Sequence, residues 1–378
     1  MEVYLDHAAT TKVFDEVAKA VSDVFTVNYG NASSLHSFGQ IARNAYESAR
    51  GVIAKIIAVS PQEIFFTSGG TESDNIAILG FLKKNFPDGG HLITTQIEHP
   101  AVLEVMKELE KHGYDVTYLA PGSDGRVSPK DFKKAIRKDT ILASIMWVNN
   151  ETGMEQPIEE ISKIAKENRI TLHSDAVQAV GKLKINASLV DMLSASGHKF
   201  YAPKGCGFLY VKSGVQISPV MLGGGHERGL RSGTENVPGA VGMATALKLI
   251  YDNYSDWRNK IESLKERILD KIYSIPNSHV NGRDAVFSHI NVSFRDVSGE
   301  ALATALDLRG IAVSTASACS SHHGSVKSHV LQAMRLDDWI VNGAIRISLG
   351  YDNTENEIDY FLKVLDEEIH RLRNISQG

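Results

Sequence analysis

Three short polar segments of the chain combine residue types that can bind an anionic, aromatic ligand, and each follows a predicted strand. The first is SGGTESDN at residues 68–75, which comes after the apolar triplet IFF and opens a predicted helix. Glycines such as Gly70 let the backbone approach an anion, the helix start offers free N–H groups, and Thr71 adds a hydroxyl. The segment is a candidate phosphate site, although a glycine turn with a capped helix explains the same residues.

The second and third segments contribute a carboxylate and an amine. Asp175 lies just past the apolar strand at 170–174 with Gln178 three residues later, and it is either an N-cap or the partner of a cationic heterocycle. Lys199 follows the small polar residues of SASGHK, where it is either a surface lysine or a Schiff-base amine. An anion site, a strand-end acid and a loop lysine, each after a different strand of one sheet, are the parts needed to hold pyridoxal phosphate.

Three further positions could act on such a ligand. His99 can lie on an aromatic ring and exchange protons near neutral pH, or it can simply precede Pro100 at a helix start. One asparagine of NNETG, Asn149 or Asn150, can bond a ring oxygen or shape a turn. Arg346 lies in the strand of AIRISLG, where it is either exposed or, if it faces inward, needs an acidic partner such as a substrate carboxylate.

The two cysteines differ in their surroundings. Cys319 lies among small polar residues in STASACSSHHGS, a setting typical of an exposed, reactive thiol, whereas Cys206 begins the apolar strand of KGCGFLYV and is expected to be inert. His322, His323 and His329 follow Cys319. Their spacing is weak support for a metal site, and a basic loop that activates the thiol or meets an acidic partner is favoured, so we expect no metal.

The elements that must position these residues follow from hydrophobic patterning. Between about residues 63 and 212, helical periods alternate with short apolar runs, which predict seven strands at 64–66, 91–95, 116–119, 141–148, 170–174, 190–195 and 208–211. The helical periods are at 72–84, 101–112 and 158–168. Strands separated by helices imply a mostly parallel sheet covered on both faces, in which ligands bind beyond the carboxyl ends of the strands.

The rest of the chain predicts a second unit. A charged amphipathic segment at 244–275 leads out of the first unit. The remainder alternates strands with helices, at 289–294, 299–308, 311–315, 328–335, 344–349 and 355–373. A length of 378 residues also favours two domains. We predict a large domain at 13–255 and a smaller α+β domain formed by 1–12 and 256–378, which carries the Cys319 loop.

Composition narrows the class of protein. Lys and Arg total 40 against 45 Asp and Glu, so the net charge of -5 provides no overall field for nucleic acid or anionic lipid, and a small-molecule substrate is the default. Two cysteines exclude a disulfide scaffold and suggest a reducing compartment. No apolar run approaches the ~20 residues of a membrane span, and the amino terminus lacks the apolar core of a signal peptide. We expect a cytoplasmic protein with neither nucleic acid nor membrane as a direct partner.

Taken in order, the motifs resemble the cysteine desulfurases of the NifS/IscS type, pyridoxal-phosphate enzymes in the class-V aminotransferase family. The resemblance covers essentially the whole chain, with motifs in the family's order and approximate spacing: YLDHAATT, YGNASSLH, SGGTESDN, EHPAV, NNETG, DAVQ, SGHK, RSGTEN, SACSS and IRISLG. Each motif alone is weak, and the ordered set is specific. It implies an α/β fold of the pyridoxal-phosphate-dependent transferase fold type I, with a mostly parallel seven-stranded sheet plus a smaller α+β domain.

The resemblance also implies a binding site for pyridoxal 5'-phosphate. Its residues would be Gly70, Thr71, His99, Asn150, Asp175, Gln178, Ser196, His198, Lys199 and Thr234. Lys199 would bind the cofactor covalently, Asp175 would face the ring nitrogen, Gln178 would approach the ring hydroxyl, and His99 would stack on the ring. Thr234 of the partner subunit would reach the phosphate across a homodimer, beside Thr71, Ser196 and His198.

By the same resemblance the substrate is L-cysteine. Asn150 and Arg346 would fix it, with Arg346 taking its carboxylate, while Lys199, His99 and Cys319 would be catalytic. Cys319 would accept the sulfur as a persulfide, leaving L-alanine, and pass it to an iron-sulfur scaffold or to another acceptor, such as one for tRNA thiolation. The stretch HHGSVKSH that follows departs from the family's usual pattern and leaves the acceptor open.

Other functions stay open at this point. A selenocysteine lyase, a cysteine sulfinate desulfinase and a related class-V aminotransferase would share most of these motifs, and Cys319 distinguishes them because an aminotransferase needs no thiol. A catalytically silent partner of a sulfur-transfer complex is a different class of protein. Lys199, Asp175 and Cys319 would be unnecessary in such a protein.

Overall fold

The computed structural model describes residues 1–315 and 327–376, and short strands and helices alternate along this length. The strands are β1 (Val3–Tyr4), β2 (Ile64–Thr67), β3 (His91–Thr95), β4 (Asp115–Leu119), β5 (Thr140–Ser144), β6 (Thr171–Asp175), β7 (Met192–Ser196), β8 (Gly207–Val211), β9 (Ser278–Val280), β10 (His289–Phe294), β11 (Ile311–Ala312), β12 (Ser314–Thr315) and β13 (Ala344–Ser348). The helices are α1 (Asp15–Thr26), α2 (Ser37–Ile56), α3 (Gly70–Asn75), α4 (Phe81–Asn85), α5 (Pro100–Lys111), α6 (Pro129–Ala135), α7 (Ile158–Glu167), α8 (Val237–Asp252), α9 (Tyr254–Ser274), α10 (Gly299–Asp307), α11 (His329–Ala333), α12 (Asp338–Asn342) and α13 (Glu355–Ser376). Within these described ranges, no helix is long and apolar enough to cross a membrane, and the predicted cytoplasmic location stays a prediction.

Seven strands form the central sheet in the order β2-β8-β7-β6-β5-β3-β4. Strands β3 to β7 pair in parallel, and β8 is antiparallel to both of its neighbours. The predicted seven-stranded, mostly parallel sheet is therefore confirmed. The strand predicted at 141–148 is regular only to Ser144, but the N–H groups of Ile145 and Trp147 still donate to carbonyls of β6, so this segment continues along β6.

The strands carry continuous apolar runs because both faces of the sheet are covered. Consecutive residues of a strand point to opposite faces. Leu92 and Leu142 therefore belong to one hydrophobic cluster, whereas Ile93 and Ala143 belong to the other. With both faces buried, the ligand-binding positions of such a sheet lie at its ends, where the strands give way to loops.

Four of the six remaining strands form an antiparallel sheet in the order β12-β13-β10-β9, and β1 and β11 form a two-stranded parallel sheet. The strand predicted at 311–315 is in fact two, because β11 pairs with β1 while β12 pairs with β13. The segment predicted at 244–275 is also two helices that meet at Asn253: α8 packs against α1 and α2, whereas α9 exposes a charged face. The elements β9 and α12 are too short for the sequence pattern to indicate. The division into domains near residue 255 stays a prediction.

A buried ion pair completes the hydrogen bonding of the edge strand β2. Arg50 donates to the carbonyl of Ile64 at 2.7 Å, and the Glu227 carboxylate accepts from the N–H of Phe66 at 2.7 Å. The two side chains are buried and lie 2.8 Å apart. An edge strand otherwise exposes unpaired backbone groups. The pair therefore fixes the strand that leads directly into the SGGTESDN segment.

Replacing Arg50 with Met should destabilise the fold, because it leaves the Glu227 carboxylate buried without its cation. We expect a loss of about 3–5 kcal/mol in the free energy of unfolding, measured by urea denaturation of the cofactor-free protein. Arg137→Met is the control, since Arg137 forms its ion pairs on the surface. Equal unfolding midpoints for Arg50→Met and the wild type would show that the pair does not hold β2.

Candidate active site

A cavity of about 350 Å³ lies at the ends of the central strands. The structure brings ten predicted site residues together in its wall: Gly70, Thr71, His99, Asn150, Asp175, Gln178, Ser196, His198, Lys199 and Arg346. Thr234 is exposed and is not part of this wall, and Cys319 lies outside the described residues. The wall also contains residues that the sequence reasoning did not select, among them Ala8, Ala9 and Asp74.

Lys199 ends a short 3-10 turn that follows β7, and the amino-terminal segment holds it there. Its Nζ donates to the carbonyls of Ala8 at 2.8 Å and Ala9 at 2.7 Å. Thr11 fixes the same turn, because its N–H and its hydroxyl both donate to the carbonyl of His198. The motif YLDHAATT therefore supplies backbone acceptors, which residue types alone do not reveal.

Two buried carboxyl groups lie beneath the cavity. Burial raises the pKa of Asp175, while His99 and Lys199 oppose this rise. Burial and the charge of Asp175 raise the pKa of Asp74 well above its usual range, and Asp74 Oδ1 has no hydrogen-bond partner among the described residues. Two neighbouring carboxyl groups do not readily ionise together. Of the two acids, only Asp175 has His99 and Lys199 opposing the effect of burial, so ionisation is favoured at Asp175 over Asp74.

His99 is both a helix cap and a wall residue, so the two interpretations of its motif hold together. Its Nδ1 accepts the N–H of Ala101 at 3.1 Å at the start of α5. Burial lowers the pKa of His99, and Lys199 lowers it further. A neutral ring that accepts at Nδ1 carries its proton on Nε2. His99 therefore offers an N–H donor at Nε2.

The two asparagines of NNETG have different positions. Asn149 is buried and shapes the turn, because its Oδ1 accepts the N–H groups of Glu151 and Thr152 at 2.9 Å each. Asn150 lines the cavity, and its carbonyl accepts from Arg346 Nη1 at 2.8 Å. Asn150 is therefore the asparagine that can contact a ligand.

Arg346 faces inward and has the acidic partner that such a position requires. Its Nη2 lies 2.7 Å from Asp6 Oδ1, and its side chain is 3% exposed. Its Nε is buried without a hydrogen-bond partner among the residues that the structure describes. A carboxylate ligand would share this guanidinium with Asp6.

The start of α3 forms a surface that a larger residue would fill. A Cβ on Gly70 would lie 2.6 Å from Val177 Cγ2, so only glycine fits without displacing the Val177 side chain. Ser196 lies at the end of β7, and His198 Nδ1 is 3.1 Å from the hydroxyl of Thr10. Burial and nearby lysines lower the pKa of His198 to about 4. Gly70 at the helix start, Ser196 and His198 form a surface that we call the Gly70 cradle. Its N–H groups at the helix start can bind an anion.

These residues fit pyridoxal phosphate. Asp175 is a buried carboxylate of the kind that a ring nitrogen requires. Lys199 supplies an amine, and the Gly70 cradle can accept the phosphate anion. Met146, Val148 and Val177 supply apolar walls for a ring. The arrangement can therefore hold a flat, phosphorylated heterocycle next to an amine.

Other predicted features have a plainer role. Cys206 is buried, its Sγ donates to the carbonyl of Pro203 at 2.9 Å, and burial raises its pKa to about 12, as expected of an inert thiol. Among the residues described, no group of three or more His, Cys, Asp or Glu side chains is placed to hold a metal ion. His322 and His323 lie outside those residues, and the absence of a metal stays a prediction.

The chain matches the family described as aminotransferase class-V over residues 3–361. It is 44% identical to the cysteine desulfurase IscS of Methanosarcina thermophila over 378 residues, covering 99% of this chain and 93% of that protein. A solved NifS-like protein superposes with a TM-score of 0.92 at 40% identity, covering 98% of this chain and all of the other. SspA in complex with cysteine superposes with a TM-score of 0.81 at 36% identity, covering 92% of this chain and 98% of the other.

Changing Gly70 to Ala should weaken cofactor binding, because the new Cβ meets Val177 Cγ2 at 2.6 Å and moves either α3 or the wall. We expect about a tenfold weaker affinity for pyridoxal phosphate, measured by absorbance titration of the cofactor-free protein. The Gly70→Ala/Val177→Ala double variant removes the clash and should regain most of the affinity. A double variant no better than Gly70→Ala would show that the contact with Val177 is not the cause.

His173 supports the cavity from below and gives the protein an acid sensitivity. Its ring nitrogens lie 2.8 Å from the hydroxyl of Ser144 and 3.0 Å from that of Ser194, so it links β5, β6 and β7. Burial lowers its pKa to about 3 from the ordinary 6.5. Because the unfolded chain takes up this proton first, stability falls as pH drops below 6.5 toward 3.

The contribution of His173 is measurable as a difference in pH dependence. Between pH 7 and pH 5 the wild type should lose about 2 kcal/mol more unfolding free energy than His173→Gln. Urea denaturation at the two pH values measures the difference. The control is His112→Gln, which removes an exposed histidine just after α5 and should leave the loss close to that of the wild type. Parallel losses in wild type and His173→Gln would contradict the neutral, buried state of His173.

Proposed function

The chain belongs to the class-V aminotransferase family and is a pyridoxal-phosphate-dependent cysteine desulfurase, and on this premise we propose that it converts L-cysteine to L-alanine with Cys319 as the sulfur acceptor. The observation that carries the proposal is the meeting of Lys199, Asp175, the Gly70 cradle and Arg346 in one cavity. An amine, an acid for the ring nitrogen, an anion site and a carboxylate site are what this reaction requires.

The proposed cofactor site uses the residues of the cavity wall and one residue from outside it. They are Gly70, Thr71, His99, Asn150, Asp175, Gln178, Ser196, His198 and Lys199, together with Thr234 of the partner subunit. When bound, the cofactor supplies an electron sink that stabilises negative charge at the substrate Cα. Burial raises the pKa of Asp175, and His99 and Lys199 oppose this rise, which favours the ionised form that a ring nitrogen would need.

Lys199 is the proposed base. Its Nζ is held by the carbonyls of Ala8 and Ala9, which fix where the amine sits at the cavity wall. With substrate bound, the amine of Lys199 would accept the proton from the substrate Cα. His99 holds a proton at Nε2 on the same wall, where it can exchange it with the substrate thiol.

Arg346 is the proposed carboxylate site. Its planar guanidinium is fixed on one side by Asp6 and on another by the carbonyl of Asn150. Its Nε is buried and has no hydrogen-bond partner in the described ranges, so the guanidinium retains unused donor capacity. Because Arg346 and Lys199 line the same cavity, a substrate whose carboxylate binds Arg346 can place its Cα toward Lys199.

Cys319 is the proposed sulfur acceptor. The chain has 2 cysteines, and burial raises the pKa of Cys206 to about 12, which leaves Cys206 unable to act as a thiolate near neutral pH. From Cys319 the sulfur would pass to an iron-sulfur scaffold or to another acceptor protein.

We also propose a homodimer. Thr234 is exposed on its own subunit, in keeping with a residue that completes the partner's site. Large apolar side chains are exposed in the segment before α2 and just upstream of Thr234: Phe25, Val27, Tyr29, Leu35, Val220, Met221 and Leu222. An apolar surface of this kind is typical of an interface.

The test is turnover of L-cysteine with a reductant, measured as alanine and sulfide. Cys319→Ala should still bind cofactor and L-cysteine, seen as an absorbance change, but should release sulfide at least about 100-fold more slowly. Cys206→Ala is the matched control and should keep wild-type turnover, because its thiol is buried. Lys199→Ala should lose both covalent cofactor binding and turnover.

Three outcomes would overturn the proposal. Full sulfide release by Cys319→Ala would exclude this thiol as the acceptor. Turnover of L-selenocysteine or cysteine sulfinate with none of L-cysteine would assign one of the related lyase reactions. A wild type that binds no pyridoxal phosphate would exclude the whole reaction.

A further inference from the structure

Lys182 is a buried lysine behind the cavity that the proposed reaction does not use. It lies four residues after Gln178, in the turn that follows β6, and is 7% exposed. Its Nζ donates to Gln178 Oε1 at 3.2 Å and to the carbonyl of Lys199 at 3.4 Å. In residues 1–315 and 327–376, no carboxylate forms an ion pair with it. A buried amine without an acid is costly, and such groups tend to persist where they have a function.

The backbone of this lysine is fixed from the outside. Tyr254 donates its hydroxyl to the carbonyl of Lys182 at 3.0 Å, and Tyr351 donates to that of Gly181 at 2.7 Å. Gly181 has a φ of +80°, and a Cβ there would lie 2.5 Å from the Cβ of Phe200, so the turn admits only glycine. These contacts fix the backbone from which the Lys182 side chain extends to Gln178.

Lys199 lines two cavities, and Lys182 lines the smaller one, called the inner cavity below. The outer cavity is the proposed active site, whereas the inner one has room of about 10 Å³ and is walled by Lys182, His7 and Tyr201 among others. A space of this size holds at most one water molecule. The amine of Lys182 therefore depends on its protein acceptors, Gln178 and Lys199, rather than on bulk solvent.

The amide of Gln178 has two chemically different ends of nearly the same shape, so its orientation depends on its partners. Its Nε2 donates to the carbonyl of Ala8 at 2.9 Å, and that carbonyl also accepts from Lys199 Nζ at 2.8 Å. Its Oε1 accepts from Lys182. With a donor at Oε1, only one of the two orientations satisfies both ends.

The contact does not require a charge on Lys182. Burial, together with the positive charges of Lys199 and Arg346, lowers its pKa to about 7. A neutral amine still has two N–H donors, which is the number that its two acceptors need. The hydrogen bonds to Gln178 and to the Lys199 carbonyl therefore persist on both sides of neutral pH.

We propose that Lys182 is a positioning residue that sets the orientation of the Gln178 amide and, through it, the hydrogen-bonding surface that the active-site cavity presents to its cofactor. The part that concerns the cofactor rests on the proposed function, in which Gln178 approaches the ring hydroxyl. Without Lys182 the Gln178 Oε1 loses its donor, and the amide is free to rotate away from Ala8.

The first test uses the cofactor-free protein labelled with ¹⁵N in its glutamine side chains. Lys182→Met should shift the Gln178 side-chain amide resonance and speed its exchange with solvent, while the resonance of Gln156 stays in place. Gln156 is a suitable internal reference because it is buried and its Nε2 is bonded to the Gly125 carbonyl. Gln178→Ala assigns the resonance by its disappearance.

Lys265→Met is the matched control. Lys265 is also buried, and its Nζ donates to the carbonyls of Ala285 and Val286, away from the cavity. Lys265→Met removes the same atoms as Lys182→Met from a similarly buried position away from the cavity. It should therefore leave the Gln178 resonance unchanged. An unchanged Gln178 resonance in Lys182→Met, or an equal shift in Lys265→Met, would overturn the proposal.

The second test is a double-mutant cycle on affinity for pyridoxal phosphate. Lys182→Met should weaken binding about fivefold and shift the absorbance band of the bound cofactor, whereas in a Gln178→Ala background it should have no further effect. The same fivefold loss in both backgrounds would show that Lys182 does not act through Gln178. If Lys182→Met does not fold, Lys182→Gln is the second variant for the same cycle. The glutamine side chain at position 182 is one bond shorter than that of lysine and cannot reach Gln178 Oε1.

The two tests separate this proposal from the proposed function. A wild type that binds no pyridoxal phosphate overturns the reaction, and the amide resonance in the cofactor-free protein then decides the role of Lys182 alone. Normal cofactor binding by Lys182→Met with an unmoved amide overturns the positioning role and leaves the reaction intact.

Discussion

The candidate site depends on the insertion of the amino-terminal segment, residues 6–11, between the two sheets. Asp6 pairs with Arg346 of β13 in the smaller sheet, and the carbonyls of Ala8 and Ala9 hold the amine of Lys199 after β7 of the larger one. A lysine and an arginine from different sheets are thus fixed relative to one another by the same short stretch of chain. Because orientation contributes much of the rate of a two-reactant step, this segment sets the distance between proposed base and carboxylate site.

Burial then determines which groups carry charge. Asp74 and Asp175 are both buried, yet only Asp175 has His99 and Lys199 close enough to favour its ionised form. Burial keeps His99 neutral at the same time. A cavity with one negative charge at its base and an amine at its wall favours a cationic ring over a neutral one. Removing the Lys199 amine would therefore disturb the acid as well.

Local patterns in the sequence predicted the central sheet and most of the wall residues, whereas Ser196 and His198 were predicted from the family resemblance alone. Apolar runs separated by helical periods located all seven strands, and strand-end polar residues pointed to the cavity. The misses have a common physical reason, since they depend on tertiary pairing. The pairing of β11 with β1 splits the predicted strand at 311–315, and the contacts of Ala8 use backbone carbonyls, which no side-chain pattern reveals. Lys182 resembles a surface lysine in sequence because its acceptors are distant backbone and amide groups.

Several of these residues have both a structural and a chemical role. In each case the structural contact determines the chemical state of the side chain. His99 precedes Pro100 at a helix start and can also exchange a proton, and the cap that its Nδ1 forms is what leaves the proton on Nε2. The same reasoning connects Lys182 to Gln178, because a hydrogen bond outside the cavity selects which end of the amide faces Ala8. In both cases a stabilising contact removes one of two nearly equivalent states of a polar side chain. Polar groups oriented in advance reorganise less when a ligand binds, which is the condition for electrostatic stabilisation to lower a barrier.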